Sequence, residues 1–254
     1  MDAWWAAVRL LTCLPTPRPR EYTPATLVRS LVWFPVVGFL LGALLGAVEL
    51  GVRGLGGSVG SSAVSCAVVV VLGLLCTRGS HVRGLMRVLG ALFAGRTPET
   101  IAALMTRQTP TAFGVLTGMG AVLLRYALLL GISPGSRLWV LIVCTALSRS
   151  ALPWVCWRFG YAEMDTAIAG YFGALAGPRD LLLVLPLVGL AFGTLGLLPA
   201  AAALVSTWLT IHLLAVWISR LLGGLTASTY EAIVEVGELA ALASFAGLAH
   251  VGQT

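Results

Sequence analysis

Apolar residues run along this chain in long blocks separated by short polar or arginine-bearing intervals. Seven blocks predict helices: Leu31–Val52, Val59–Cys76, Ala112–Ile132, Leu138–Cys156, Leu181–Leu197, Ala200–Ile218 and Tyr230–Leu248. Most approach the roughly 20 apolar residues that carry an α-helix across a bilayer. The turn SPGS joins the third and fourth, and Pro199 divides the fifth from the sixth. In the first block Gly38, Gly42 and Gly46 recur at every fourth residue, a ladder that lets another backbone approach and so predicts a helix neighbour there.

Two stretches depart from this pattern. Met1–Leu14 sets Trp4, Trp5, Val8 and Leu11 on one side of a helix beside Arg9, which suits the headgroup interface, and Pro15, Pro17 and Pro19 then end it. Arg78–Arg107 carries five arginines and Glu99, with Leu85, Val88, Leu89, Leu92 and Phe93 at helical spacing. It reads as a helix on the membrane surface, apolar side down, or as a loop whose arginines only set topology. The last block carries Glu231, Glu235 and Glu238 on one helical face. That face predicts either the lining of a polar cavity or a solvated helix end.

Composition sharpens the class. Of 254 residues 58% are hydrophobic and 10% charged, against roughly 25% charged in soluble domains. The expected architecture is therefore all-α: one domain over 1–254, a polytopic integral membrane bundle of about seven spans plus the amphipathic N-terminal helix. All sixteen basic residues are arginine, and the net charge is +6. They lie between apolar blocks rather than in one stripe, which argues against nucleic acid as a partner. Cys13, Cys66, Cys76, Cys144 and Cys156 form no CxxC pair and predict neither a disulfide framework nor a zinc site. No cleavable signal peptide is expected at the start.

With the N-terminus inside, the inner side holds Arg9, Arg18, Arg20, Arg29, the five of Arg78–Arg107, Arg158, Arg179 and Arg220; the other side holds only Arg53 and Arg137. Twelve against two is a positive-inside bias. It predicts a cytoplasmic N-terminus and puts Arg78–Arg107 and Gly223–Thr229 on the cytoplasmic face. Arg125 and Arg149 fall within spans. A charge at mid-bilayer costs about 2.5–3.5 kcal/mol on insertion scales, so each needs a partner, a polar cavity or a route to the headgroups. For Arg149 the glutamate face of the last helix is the candidate partner. A transporter reading rests on these two arginines alone, and no internal repeat supports it.

Six fragments in order resemble the cobalamin synthase family, adenosylcobinamide-GDP ribazoletransferase, over essentially the whole length. LLTCLPTP looks like the family's LTRLPVP, and RGSHVRGL with LFAGRTPE falls where the family carries HLDGLADTxDG. TPTAFGVL resembles SRVGAFGV, LSRS the mid-chain SR, and GGLTAST with VEVGEL the closing GGxTGDT…ELGE. The resemblance implies an enzyme of the bacterial inner membrane that joins adenosylcobinamide-GDP to α-ribazole, or its 5′-phosphate, with release of GMP. It also implies Mg²⁺, and contact with other cobalamin-assembly enzymes as a further expectation. Carried over residue by residue, it marks His81, Arg83, Arg87 and Arg149 as catalytic positions. Arg107, Phe113, Gly114, Gly223, Gly224 and Thr226 become substrate-binding positions.

The departures are chemical. The motif aspartates fall at Arg83, Arg87 and Gly90, and those of the later segments at Arg107 and Ser228. The chain has only three aspartates, Asp2, Asp165 and Asp180, so no DxxD pair exists. Mg²⁺ favours carboxylate and phosphate oxygens, and guanidinium groups at 83 and 87 would repel it. No metal ligand is therefore expected at the family positions, and Glu231, Glu235 and Glu238 are the possible substitutes. Two expectations follow: a transferase with a rearranged site, or a non-catalytic relative that keeps the fold and corrinoid or partner binding.

Overall fold

The computed structural model of the chain describes residues 1–17, 22–107, 109–160 and 184–251. Arg18, Arg20, Asp165, Arg179, Asp180 and the first three residues of the fifth apolar block lie outside them. The described residues form helices: α1 (Asp2–Leu11), α2 (Pro24–Ser30), α3 (Phe34–Gly54), α4 (Ser62–Cys76), α5 (Ser80–Ala94), α6 (Pro98–Thr106), α7 (Ala112–Gly131), α8 (Arg137–Phe159), α9 (Val184–Leu195), α10 (Leu197–Leu222) and α11 (Ala227–Val251). Starts are capped by hydroxyls where the sequence offers them. Ser61 accepts the amide of Val64, Thr111 that of Gly114 at 3.1 Å, and Thr226 that of Thr229.

Helices form in all seven apolar blocks, so the helical membrane bundle expected from hydropathy is what the chain builds. Four are long and apolar enough to cross a membrane on their own: Pro24–Gly54, in which α2 and α3 run together, α7, α8 and α10. A fifth emerges if α4 and α5, bent by 83° at their junction, count as one broken span. The described part of α9 is short, and α11 carries three glutamates.

The glycine ladder does what its spacing predicts. A Cβ on Gly38 would lie 2.6 Å from the carbonyl oxygen of Thr145, and one on Gly42 2.6 Å from the Cα of Ile142. One on Gly46 would lie 3.0 Å from the Cα of Leu138. The falling partner numbers make α3 and α8 antiparallel, and Thr145 Oγ1 donates across the contact to Gly38 O at 2.9 Å. Thus α8 is the buried centre of the bundle: Val140–Pro153 are buried without interruption. With so little of α8 facing lipid, its polar residues, Thr145, Ser148, Arg149 and Ser150, need partners inside the protein.

One expectation needs correction. The Arg78–Arg107 interval is neither a surface helix with its apolar side in lipid nor a plain loop. It is two helices, and α5 lays its apolar stripe on protein: Leu85, Val88 and Ala91 are buried while Phe93 stays exposed. Gly84 abuts Glu231 and Ala232 of α11, and Gly90 meets Thr111 and Gly114 at the start of α7. The small residues let α5 sit between α11 and α7, with Arg83 exposed and Arg87 half-buried at the edge of the contact. In α1, Val8 and Leu11 are buried against the bundle, while Trp4 and Trp5 are half-buried and Arg9 is exposed. Trp4 packs edge-on against Trp33 at 5.5 Å.

The α4–α5 junction carries its own strain. Arg78 has φ +53 and Gly79 φ +61, two successive left-handed residues. The Gly79 amide closes the helix on Leu74 O at 2.8 Å. Gly79 adopts this conformation freely. Arg78 does not: a left-handed non-glycine residue costs about 1–2 kcal/mol.

Candidate functional site

The family-like fragments, scattered from 81 to 238 in sequence, converge at one end of the bundle. Met105 of α6 reaches the start of α11 and the turn before it, accepting at its carbonyl from Ser228 Oγ at 3.0 Å and lying 3.8 Å, through sulfur, from Thr226 Oγ1. Gly223 takes φ +75 to end α10, and Gly224 behind it is buried. Leu225 N donates to Gly160 O at 3.3 Å, and Tyr230 OH donates to the same oxygen at 2.7 Å, which ties the turn to the end of α8. Gly114 is buried where α7 starts against Met86, while Phe113 stacks on Phe93 at the surface with centroids 4.4 Å apart. Arg83 and Arg107 are exposed and Arg87 is half-buried. The charges of Arg83 and Arg87 reach Glu231 across the α5–α11 contact.

Deeper in, the last helix turns its glutamates into protein. Arg125 of α7 meets Glu235 Oε1 through Nη2 at 2.9 Å and Glu238 Oε2 through Nη1 at 2.5 Å. Arg149 of α8 donates from Nη1 to Glu238 Oε1 and to the carbonyl of Thr145, the latter at 2.9 Å. Two arginines and two glutamates from α7, α8 and α11 therefore form a buried cage of zero net charge. This resolves the last block as the lining of a polar interior, and it answers the snorkelling alternative: neither in-span arginine escapes to the headgroups. Gly237 supports the arrangement, since a Cβ there would come within 2.8 Å of Ile211 and 3.3 Å of Ser148.

His81, at the start of α5, faces the cage. It is buried, and among the described residues neither ring nitrogen has a hydrogen-bond partner. The cavity it shares with Arg125, Arg149, Glu235, Glu238 and Thr145 measures about 20 Å³. That is room for a single water and no substrate.

The end of the bundle away from these fragments holds a second polar cluster that the sequence did not reveal. Arg137, placed by its sequence position in a loop, is fully buried at the start of α8. Its Nε donates to Leu129 O and Ile132 O at 3.1 and 3.0 Å, and its Nη1 donates to Glu49 Oε1 at 3.0 Å. Ser65 Oγ donates to the same Glu49 oxygen at 3.3 Å. Arg53, four residues on in α3, reaches the same oxygen at 3.6 Å. The signal was a lone glutamate in an apolar helix; its buried partner stands 88 positions away, beyond any local pattern.

Whether these residues suit Mg²⁺ is a matter of donors. The Glu235 and Glu238 carboxylates are taken up by guanidinium groups, and Glu231 stands alone under the field of Arg83 and Arg87. Among the described residues no three of His, Cys, Asp or Glu group so as to hold a metal ion. A dication needs several oxygen ligands and an uncompensated negative site. The described residues do not fit it.

Fold and site together define a polytopic helical membrane protein with a buried arginine–glutamate cage under a cationic rim. Compared with known proteins, residues 3–246 match the model of the cobalamin-5-phosphate synthase family, and the chain belongs to that family. It is 33% identical over 244 residues to the adenosylcobinamide-GDP ribazoletransferase of Desulfitobacterium hafniense strain Y51, covering 94% of each chain. The enzyme of the same name from Roseiflexus sp. strain RS-1 is 30% identical over 253 residues, covering 95% of this chain and 90% of its own. That of Escherichia coli K12 strain DH10B is 28% identical over 248 residues, covering 93% and 96%. No solved structure matches the chain.

Proposed function

We propose that this chain works at its family's step of cobalamin assembly. It takes adenosylcobinamide-GDP and α-ribazole, or its 5′-phosphate, at the end of the bundle where α5, α6 and the turn before α11 meet. The supporting observation is the convergence of the family-like fragments on that end, around Met105, Ser228, Gly84 and Glu231. In the reaction a ribazole hydroxyl oxygen bonds to the phosphorus that carries the cobinamide. The bond from that phosphorus to the bridging oxygen breaks, GMP leaves with the bridging oxygen, and the hydroxyl proton is released. Arg83, Arg87 and Arg107 stand at family aspartate positions. Arginine binds phosphate bidentately and offsets its charge directly, so they would hold the pyrophosphate without a carboxylate-bound metal. His81 and Arg149 then act from below, as positioning residues beneath α5 rather than as groups that touch substrate. The bias of arginines toward this end supports a position on the cytoplasmic side of the inner membrane.

A second reading has a specific observation in its favour. All five acidic positions of the family pattern are lost together, and the nearby carboxylates are neutralised by arginine. On that reading the chain binds the corrinoid nucleotide and does not turn it over. One experiment separates the two: membranes carrying the protein are given both substrates, GMP release is measured, and retention of adenosylcobinamide-GDP is measured in parallel. GMP release that falls at least tenfold in Arg87→Gln supports the transferase. Retention without GMP release, under any divalent metal, leaves the binding reading alone. Loss of both would sink the proposal.

A further inference from the structure

We infer that the groove between α4, α5 and α7 is a binding site for an anionic phospholipid, with its phosphate on Arg78 and an acyl chain along the trough. The 83° bend at the α4–α5 junction swings α5 away from the line of α4 and leaves a trough of about 770 Å³ against α7. Leu74, Leu75, Val82, Met86, Met119 and Leu123 line it, and among the described residues Arg78 and Arg83 are the charged ones there. Such a volume is that of a small-molecule site, about 300–1,000 Å³. The trough lies among membrane helices, so its occupant must be hydrocarbon along most of its length.

The arginines identify the other end of that occupant. Among the described residues neither Arg78 nor Arg83 is in an ion pair, whereas the in-span arginines Arg125 and Arg149 are. Arg78 also holds a left-handed position, which glycine would occupy without strain, right beside a glycine that does. A strained residue kept where a relaxed one would serve points to use of its side chain. Guanidinium groups take phosphate in paired hydrogen bonds, and the cytoplasmic leaflet is rich in anionic lipid. A free nucleotide would satisfy the charge and leave the apolar trough bare; a zwitterionic lipid would fill the trough and offset the arginines poorly.

The site goes beyond the reading above at Arg78, which takes the lipid phosphate and has no part in that reading; Arg83 borders both. The full chain in mild detergent is titrated with phosphatidylglycerol or phosphatidylcholine of the same acyl composition, and bound lipid is counted by native mass spectrometry. We expect one phosphatidylglycerol per chain, held at least tenfold more tightly than phosphatidylcholine. Arg78→Gly should abolish that preference without lowering the unfolding temperature, since it relaxes the backbone. Leu123→Trp, on an exposed wall of the trough, should weaken both lipids, and Arg220→Gln, an exposed arginine outside it, should change neither. Equal retention of the two lipids, an undiminished preference in Arg78→Gly, or displacement of the lipid by millimolar GMP or inorganic phosphate would overturn the proposal. GMP release unchanged in Arg78→Gly, with the lipid preference lost, would confirm that the two sites are separate.

Discussion

Replacing Glu238 by glutamine tests the buried cage where its charges are most tightly coupled. Among the described residues Glu238 is the carboxylate that Arg125 and Arg149 share, and both its oxygens are committed. Gln keeps the shape and removes the charge, so a cage of two positive and two negative groups becomes one of net +1. Arg125 retains Glu235 at 2.9 Å, but among the described residues no other carboxylate pairs with Arg149. At an effective dielectric constant of about 20, unit charges roughly 4 Å apart interact by about 4 kcal/mol. Removing one partner of a buried pair costs about 3–5 kcal/mol in measured cases. For a chain of this size each kcal/mol moves the unfolding midpoint by roughly 2–4 °C, so the loss should be roughly 6–20 °C. Tryptophan fluorescence in detergent during heating reads it directly.

The comparison variants make the cause specific. Glu235→Gln should be milder, because Arg125 keeps Glu238. Arg149→Met with Glu238→Met restores neutrality and should recover most of the lost stability, since an apolar replacement of a whole buried pair is often neutral or better. A shift below about 2 °C in Glu238→Gln, or a double variant less stable than the single one, would refute the reasoning.

Other consequences can be checked by similar means. Gly42→Leu should prevent accumulation of folded protein in membranes, because its Cβ would meet the α8 backbone, and size-exclusion of solubilised membranes reads this. Arg137→Met leaves buried Glu49 with the partly exposed Arg53 at 3.6 Å and the Ser65 hydroxyl, and should cost no more than about 3 kcal/mol, seen as a lowered unfolding midpoint. Mg²⁺ at millimolar concentration should leave that midpoint of the wild-type chain unchanged, whereas a bound ligand at a hundred times its Kd would add about 2.7 kcal/mol. Arg83→Asp with Arg87→Asp sets two carboxylates beside Glu231, and a Mg²⁺-dependent rise should then appear in the same measurement.

Local pattern was enough to define most of the architecture. Apolar blocks too long for a soluble helix leave a chain one way to satisfy its backbone in lipid, and the blocks became helices within a few residues of the expected limits. The Gly38, Gly42 and Gly46 ladder announced a close neighbour by spacing alone, because a missing Cβ has no other use on a membrane helix at that period. Arg149 and the glutamate face of the last helix were paired on charge and cost, since an arginine buried within a span needs a partner. Family resemblance was carried by short fragments in fixed order, which survive even where their aspartates have been replaced.

What remained depended on which surfaces meet. Nothing in the spacing of Leu85, Val88 and Phe93 says whether an amphipathic stripe rests on lipid or on protein; Gly84 and Gly90 against α11 and α7 decided it for α5. Arg125 joined the cage, and Arg137 joined Glu49, only because antiparallel packing brings together positions far apart in the chain. Periodicity reports the face a residue occupies. The partner across that face is a property of tertiary packing, and here it gathers isolated charges into one neutral cage and a second paired cluster inside the bundle.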